Sequence, residues 1–208
     1  MKISIDIYDF KRGMAACSKN VAVKHEAELR PVIGRVCIRV YDNYNGTGRL
    51  EMVGLNGFTM VCAYMLCGIL EPNTENTDKD YYEFLIESVN IPRGAKSVTI
   101  SDDEKFISID FDGITFNQRK FDQEYVRYSL TMMPFPPVFQ ITVNPKYLEQ
   151  VMHACKEEDN VTLSFYSEFK PIQVDGNNIR ALCLPVRMKD DKKDERQNAM
   201  QDRKEAHK

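Results

Sequence analysis

One pattern, a strand followed by an amphipathic helix and then by several strands, occurs twice in this 208-residue chain. In the later copy a strand is expected at 139–142, and Asn144-Pro145 predicts the helix start. Asn can cap free backbone N–H groups, and Pro needs no donor at the first helical position. Apolar residues then recur at helical spacing, at Tyr147, Leu148, Val151, Met152 and Cys155. Alternating or turn-bounded strands follow at 161–165, 171–174 and 179–186.

The earlier copy occupies the start of the chain. A short strand is expected at 2–5, and an apolar stripe at helical spacing then predicts a helix through Ile7, Phe10, Met14, Cys17 and Val21. Strands are expected at 35–41, 50–54 and 59–65, with Asn56-Gly57 as a tight turn. The order of elements is therefore the same in both copies.

A third, damaged copy lies between them. Strands are expected at 84–89, 97–101, 105–111 and 114–119, separated by turns rich in Asp and Gly. Where the pattern calls for a helix, the sequence has only Asn90-Ile91-Pro92-Arg93-Gly94. The chain thus amounts to about three half-units.

Segments of biased composition suggest the domain organisation. Residues 71–83 form an acidic loop within a first domain, 1–131. Residues 132–138 are proline-rich and are expected to be an extended connector. A half-domain follows at 139–188. Residues 189–208 are almost entirely polar and are expected to be a charged tail.

Composition also limits the function. The net charge of −3 argues against a protein that coats nucleic acid indiscriminately. No apolar run is long enough to span a bilayer, and the first residues lack the apolar stretch of a signal peptide. We therefore expect a cytoplasmic protein that has no membrane partner.

No pattern of catalytic residues is recognisable. The three histidines, His25, His153 and His207, have no ligand spacing, and the six cysteines lack the close pairs of zinc sites. Gly46-Thr47-Gly48 joins two strands instead of opening a helix, so it does not match a phosphate-binding loop. We expect no enzyme, no metal and no cofactor, and we interpret the cysteines as buried free thiols.

Three segments, in the same order, resemble parts of the bacterial DNA polymerase III β subunit, the sliding clamp. Residues 139–188, which end in Leu184-Pro185-Val186-Arg187-Met188, are similar to the last half of that family's third domain. Residues 53–61 resemble a strand-turn-strand of its middle domain, although only Gly57 of a Thr-Asp-Gly-His-Arg-Leu run is kept. Residues 120–128 resemble the Phe-Pro-Asp-Tyr segment that closes the middle domain, without its proline. The resemblance implies an α+β, DNA-clamp-like fold of repeated β-α-β-β-β units, about one and a half clamp domains long.

In that family the three segments converge on a hydrophobic pocket that binds short peptides of polymerases and repair proteins. Carried over to this chain, the resemblance places the pocket at Leu55, Gly57, Phe58, Met60, Arg127, Tyr128, Leu182, Leu184, Pro185, Val186 and Met188. A few buried apolar anchors are what peptide recognition requires. The alternative is that these residues are ordinary strand ends and core.

The resemblance also implies a surface for DNA, the inside of a ring where helices present Lys and Arg to the duplex. The corresponding residues are Lys11, Arg12, Lys19 and Lys146. Flexible cations that contact phosphates hold a duplex without reading its sequence. The alternative is that these side chains are solvated decoration of two helices.

Two functions from different classes remain open, because a clamp subunit has three domains and this chain has about one and a half. The first is a homo-oligomeric processivity factor that tethers replication or repair proteins to duplex DNA. The second is a protein-interaction module without DNA binding, derived from the clamp fold, that acts as a decoy or regulator of clamp-binding peptides.

Overall fold

The computed structural model describes residues 1–23, 25–72, 80–103, 105–127 and 139–186, and the chain divides into a first unit, Met1–Thr131, and a second unit, Met132–Lys208. The helices are α1 (Ile7–Cys17), α2 (His25–Leu29) and α3 (Pro145–Ala154). The strands of the first unit are β1 (Lys2–Asp6), β2 (Val36–Asp42), β3 (Thr47–Leu55), β4 (Met60–Glu71), β5 (Tyr82–Ile86), β6 (Ser97–Asp102), β7 (Phe106–Phe111) and β8 (Ile114–Arg119). Those of the second unit are β9 (Thr162–Ser164), β10 (Ile172–Asp175) and β11 (Arg180–Cys183).

The strands of the first unit form one antiparallel sheet in the order β5-β2-β3-β4-β1-β6-β7-β8. β1 pairs with β4, the last strand of its own repeat, and also with β6 of the other repeat. β5, the first strand of the second repeat, pairs with β2 of the first repeat. Each repeat therefore places its first strand against the other repeat, and neither repeat forms a separate sheet.

Helix α1 begins at a side-chain cap. The carboxylate of Asp6 accepts hydrogen bonds from the backbone N–H groups of Tyr8, at 2.8 Å, and Asp9, at 3.1 Å. The stripe expected from the sequence is confirmed over Ile7–Cys17, but the helix was predicted to reach Val21, and a 3-10 turn, Ser18–Asn20, follows instead. At this end the Ser18 hydroxyl donates to the Met14 carbonyl, a side-chain bond that competes with the helical pattern.

The core of the first unit lies between α1 and one face of the sheet, which we call the inner face. Strands of both repeats supply it, with Ile38, Leu50 and Met52 from one and Val98, Ile100, Ile107 and Ile109 from the other. Phe10 of α1 meets Phe111 of β7 edge to face, with ring centroids 5.7 Å apart. A single helix therefore covers the strands of both repeats.

The opposite, outer face of the sheet carries a buried ion pair. Arg39 on β2 donates from Nε to the Glu83 carboxylate on β5 at 2.7 Å, and both side chains are almost fully buried. The guanidinium carbon of Arg39 also lies 4.6 Å from the centre of the Tyr81 ring. Because a buried charge is costly without its partner, this pair ties β5 to β2.

No helix lies between β5 and β6 in the described residues 87–96, in agreement with the sequence. A single turn, in which the Ala95 N–H donates to the Pro92 carbonyl at 3.3 Å, takes its place. The sequence did not predict α2 or the 3-10 turn Pro31–Gly34, which connect α1 to β2. The acidic loop is shorter than predicted, because Glu71 belongs to β4, and Tyr82 and Glu83 belong to β5. Residues 73–79 of that loop, the connector at 132–138 and the tail at 189–208 lie outside the described residues.

The second unit holds one repeat, with α3 packed on a three-stranded sheet of order β11-β10-β9. Asn144 caps α3 as predicted, since its side chain accepts from the Lys146 N–H at 3.0 Å. The strand predicted at 139–142 is wrong: Val143 makes an isolated bridge to Pro185, and the Thr142 carbonyl accepts from the Val186 N–H at 2.7 Å. One bridge and one hydrogen bond do not make a ladder, so the described residues form no strand there.

Because α1 lies very close to β3 at Gly54, we expect that no residue with a side chain fits at this position. A Cβ at Gly54 would lie 2.1 Å from the Cys17 carbonyl oxygen, so the backbone itself would have to move. We expect Gly54→Ala to lower the free energy of unfolding by about 3 kcal/mol or more, measured by urea denaturation followed by circular dichroism. Gly13→Ala is the matched control, because the atoms that its Cβ would crowd are the flexible ends of Met65 and Met52. A control that costs as much as Gly54→Ala would contradict this explanation.

The buried ion pair gives a second stability prediction. Glu83→Gln keeps the shape of the side chain but removes the carboxylate charge to which the Arg39 Nε donates, and we expect a loss of about 3 kcal/mol. The control is Glu87→Gln, which removes the partner of Arg35 from an exposed pair at 3.1 Å. That change should cost less than about 1 kcal/mol in the same denaturation experiment. Equal losses would show that burial does not distinguish the two pairs.

Candidate partner and DNA surfaces

The first-unit residues of the expected pocket lie at the β3–β4 hairpin. Leu55 and Met60 face each other across the two strands and are half-buried. In the turn between them, the Asn56 side chain accepts from the N–H groups of Phe58, at 2.9 Å, and Thr59, at 2.8 Å. Gly57 has a φ of +92°, in the left-handed region that glycine adopts freely. The Phe58 side chain at the tip is 89% exposed.

Leu55 and Met60 belong to a small apolar cluster on the outer face. They pack with the buried residues Cys37, Val53, Leu85 and Tyr125. Tyr125 comes from the segment after β8, and its backbone N–H donates to the Glu83 carboxylate at 3.3 Å. Leu55 and Met60 are therefore partly core, which is the alternative considered from the sequence, whereas Phe58 is free to contact a partner.

The end of that segment carries Arg127, which is exposed. Tyr128 lies outside the described residues. The segment itself is held by Tyr125 and by Phe121, whose ring centre lies 4.1 Å from the guanidinium carbon of Arg35. The structure thus brings Leu55, Gly57, Phe58 and Met60 together and places the segment that ends in Arg127 over the same cluster.

The second-unit residues of the expected pocket form an exposed apolar stripe. Cys183 points into the core of the unit and Pro185 bridges to Val143, so the residues between and beside them point away. Leu182, Leu184 and Val186 are accordingly 57%, 67% and 44% exposed. Met188 lies outside the described residues. The approach of this stripe to the hairpin of the first unit stays a prediction.

The basic residues expected on the DNA surface are accessible to different degrees. Arg12 and Lys19 are exposed and Lys11 is half-buried, all on α1 or the turn that ends it. The Arg12 guanidinium donates to the Asp9 carboxylate at 2.8 Å, which offsets part of its charge. Lys146 is exposed in the first turn of α3. Three cations therefore lie together in the first unit, and Lys146 belongs to the other unit.

In the first unit, the basic helix and the hairpin cluster lie on opposite faces of the sheet. A Cβ at Gly13 of α1 would touch Met52 and Met65, which lie on the inner face. Val53, next to Met52, points to the outer face and packs in the cluster of Leu55. Contacts at one surface would therefore leave the other free.

The thiols of this unit do not have the properties of nucleophiles. Burial raises the pKa of the Cys17, Cys62 and Cys67 thiols to about 11 and raises that of Cys37 as well. All six cysteines are free, as expected. Among the described residues, no group of His, Cys, Asp and Glu is arranged to hold a metal ion.

One feature that the sequence did not indicate is a polar cleft of about 550 Å³ beside the ends of β5 and β8. It is lined by Arg35, Glu87, Asn117, Gln118, Arg119, Lys120, Phe121 and Asp122. The Gln118 amide spans the two strands there, because it accepts from the Glu87 N–H at 2.8 Å and donates to the Glu87 carbonyl at 3.2 Å. No residue of the expected pocket lines this cleft.

None of the helices in the described part of the chain is both long and apolar enough to cross a membrane. No protein-family model matches the sequence, and no curated protein matches it. The structure, in contrast, is similar to many solved structures.

The β chain of DNA polymerase III from Streptococcus pneumoniae matches with a TM-score of 0.64 and 15% identity, over 90% of this chain and 50% of that one. A sliding clamp from Pseudomonas aeruginosa bound to griselimycin matches with a TM-score of 0.60 and 14% identity, over 90% and 51%. The Helicobacter pylori β clamp bound to a DNA ligase peptide matches with a TM-score of 0.55 and 12% identity, over 88% and 50%.

This chain spans about half the length of these clamps. The resemblance expected from the sequence is thus confirmed in the fold, although sequence identity is low. The chain has the α+β fold of bacterial DNA polymerase III β sliding clamps, over a part of their length.

Proposed function

We propose that this chain is a non-catalytic, clamp-like tether of the cytoplasm that binds short peptides of replication or repair proteins on one surface and duplex DNA on another. The observation that carries the proposal is the exposed apolar stripe Leu182, Leu184 and Val186 on a clamp fold. A peptide with two or three apolar anchors would cover such a stripe, and burial of those anchors would supply most of the affinity.

The hairpin of the first unit would provide the other side of the peptide site. Phe58 is the exposed anchor there, with Leu55, Gly57, Met60 and Arg127 around it. Among the matched clamps, the Helicobacter pylori protein is bound to a DNA ligase peptide. The three side chains of the stripe are apolar, which favours a partner whose contacting residues are apolar.

The DNA surface would be the side of the first unit that carries α1. Lys11, Arg12 and Lys19 are close enough along α1 and its terminal turn to meet neighbouring phosphates. Lys146 at the start of α3 would add a fourth cation. Such contacts are independent of base sequence, as a sliding tether requires.

A second candidate function, an interaction module without DNA binding, is supported by specific observations. Arg12 is already paired with Asp9, and the connection at 87–96 offers no helix beside α1 in the described residues. Fewer cations would then face the duplex. In this alternative the peptide surface remains and acts as a decoy or regulator.

If the stripe binds a peptide, a charged residue introduced into the stripe should weaken peptide binding. Leu184→Asp would place a carboxylate where an apolar anchor must bury, and we expect the dissociation constant to rise at least about tenfold. Fluorescence anisotropy with the DNA ligase peptide that binds the Helicobacter pylori clamp provides the measurement.

The matched control is Leu66→Asp, on β4 of the first unit, because Leu66 is 74% exposed and lies outside the proposed site. It should leave peptide affinity unchanged. If both variants bind equally well, the stripe is not the peptide site.

The DNA surface predicts a change in salt dependence. Lys11→Ala, Arg12→Ala and Lys19→Ala together would remove three phosphate contacts, and the slope of log affinity against log salt should fall in magnitude by about 2 to 3. Titration of a short random-sequence duplex at several salt concentrations measures it. Peptide binding should persist in this variant.

A control of equal charge change is Lys105→Ala, Arg119→Ala and Lys170→Ala, whose side chains are exposed and belong to neither helix. This control should keep the salt slope. A chain that binds the peptide but no DNA at low salt would reject the tether and support the interaction module.

A further inference from the structure

The second unit exposes the surfaces that the first unit buries. Five residues of α1 are buried, Ile7, Phe10, Gly13, Met14 and Cys17, whereas no described residue of α3 is. Among the described residues of this unit, the apolar core beneath α3 has only Cys155, Ile172, Val174 and Cys183 buried. An amphipathic helix on a sheet is stable when its apolar face is covered, and here the cover is incomplete.

The first unit shows how such a repeat is completed. Its first strand, β1, pairs with β4 of the same repeat through Ile5 and Cys67, immediately before the helix cap Asp6. In the second unit, Val143 bridges Pro185 immediately before the helix cap Asn144. The segment 141–143 therefore occupies the position of β1, and β11, which leads to Pro185, occupies that of β4.

Two edges of the second unit correspond to positions that are filled in the first. The far side of β1 is paired with β6, and the outer edge of β2 is paired with β5. In the second unit, the far side of 141–143 and the outer edge of β9 have no strand beside them in the described residues. Unpaired edges with apolar side chains favour strand addition.

The side chains at the β9 edge are suited to a partner. Leu163 lies opposite Val174 in the register, so it points to the face that carries α3, and yet it is 42% exposed. Phe165, two residues later on the same side, meets Phe139 of its own chain, with ring centroids 6.3 Å apart, and is still 45% exposed. Side chains of the core face are thus partly open where a neighbouring strand would lie.

We propose that a second copy of this chain completes the unit. The two second units pair around a two-fold axis, with segment 141–143 of each copy against β9 of the other. The two contacts are the same by symmetry, and they reproduce the β1–β6 and β5–β2 pairings of the first unit. Two chains together then form one complete clamp-type domain, in addition to the domain that each chain carries.

The first unit also indicates the register in which segment 141–143 would pair with β9 of the other copy. Ile109 of β7 pairs with Ile100, and Ile100 pairs with Ile3. With Val174 in the place of Ile109, Leu163 takes the place of Ile100, and its partner becomes Ile141 of the other copy. Val161 then meets Val143, as Val98 meets Ile5. Both of these pairs, which lie on the core face, are apolar on both sides.

Self-complementarity is the reason to choose a second copy as the occupant. One surface of the unit supplies both the open strand edge and the segment that fills it. The polar sequence 189–208, whose apolar residues are Ala199, Met200 and Ala206, has too few apolar side chains to serve instead. The inference goes beyond the proposed function, because the pairing requires neither DNA nor a peptide.

The first test is the mass of the full chain in solution, by light scattering after size exclusion. We expect twice the 24.1 kDa of one chain. Leu163→Lys should convert the dimer to a monomer with unchanged circular dichroism, because a charge would be buried twice per dimer. Leu66→Lys, at an exposed residue of the first unit, should keep the dimer.

The second test fixes the register. Ile141→Cys combined with Leu163→Cys should give a covalent dimer under mild oxidation, and neither single variant should. Ile141→Cys combined with Ser164→Cys should not cross-link, because neighbouring residues of a strand point to opposite faces. A monomeric wild-type chain, a dimer that survives Leu163→Lys, or cross-linking through Ser164 alone would each overturn the proposal.

Discussion

The exchange of first strands between the two repeats holds the first unit together. β1 is hydrogen-bonded on both edges, to β4 and to β6, and its apolar side chains Ile3 and Ile5 are buried. With its partner strands on both sides, the strand has few backbone groups that must be satisfied by water. Without β1, the sheet would divide into β5-β2-β3-β4 and β6-β7-β8, each with an open edge, and α1 would lose part of the surface on which it packs.

The same constraint explains why one helix is sufficient for two repeats. Since the strands of both repeats lie in one sheet, α1 can cover the junction, and Phe10 reaches Phe111 of the second repeat. Phe111 in turn meets Phe116 of β8, with ring centroids 5.9 Å apart. The aromatic side chains extend the core towards the part of the sheet that has no helix of its own.

Much of this fold follows from short-range patterns. Asp6 and Asn144 are caps, and the apolar stripes behind them determine α1 and α3. The turn at Gly57 needs a positive φ, so the β3–β4 hairpin could also be located from the sequence. These features depend on a few neighbouring residues, which is why periodicity and capping are informative.

The rest depends on contacts between distant residues. Nothing near β5 indicates that it pairs with β2, because that pairing relies on Arg39 and Glu83, which are 44 residues apart. The segment 139–142 has the composition of a strand, but in the described residues it is joined to 185–186 only by an isolated bridge and one hydrogen bond, so the local pattern was misleading. In the candidate peptide site, the exposed stripe at Leu182–Val186 follows from alternation, whereas the partial burial of Leu55 and Met60 under Tyr125 depends on a segment 65 or more residues later in the sequence.

The hydrogen bonds between β1 and β6 also have a consequence for the order in which the protein is made. Lys2 pairs with Ser101 and Asp6 with Ser97, so β1 cannot complete this edge until residues 97–101 have left the ribosome. Closing a loop of that length is entropically costly and slow compared with forming a local hairpin such as β3–β4. The first strand of this sheet to be synthesised is therefore among the last to gain all its native neighbours, and during that interval its apolar edge remains available to chaperones.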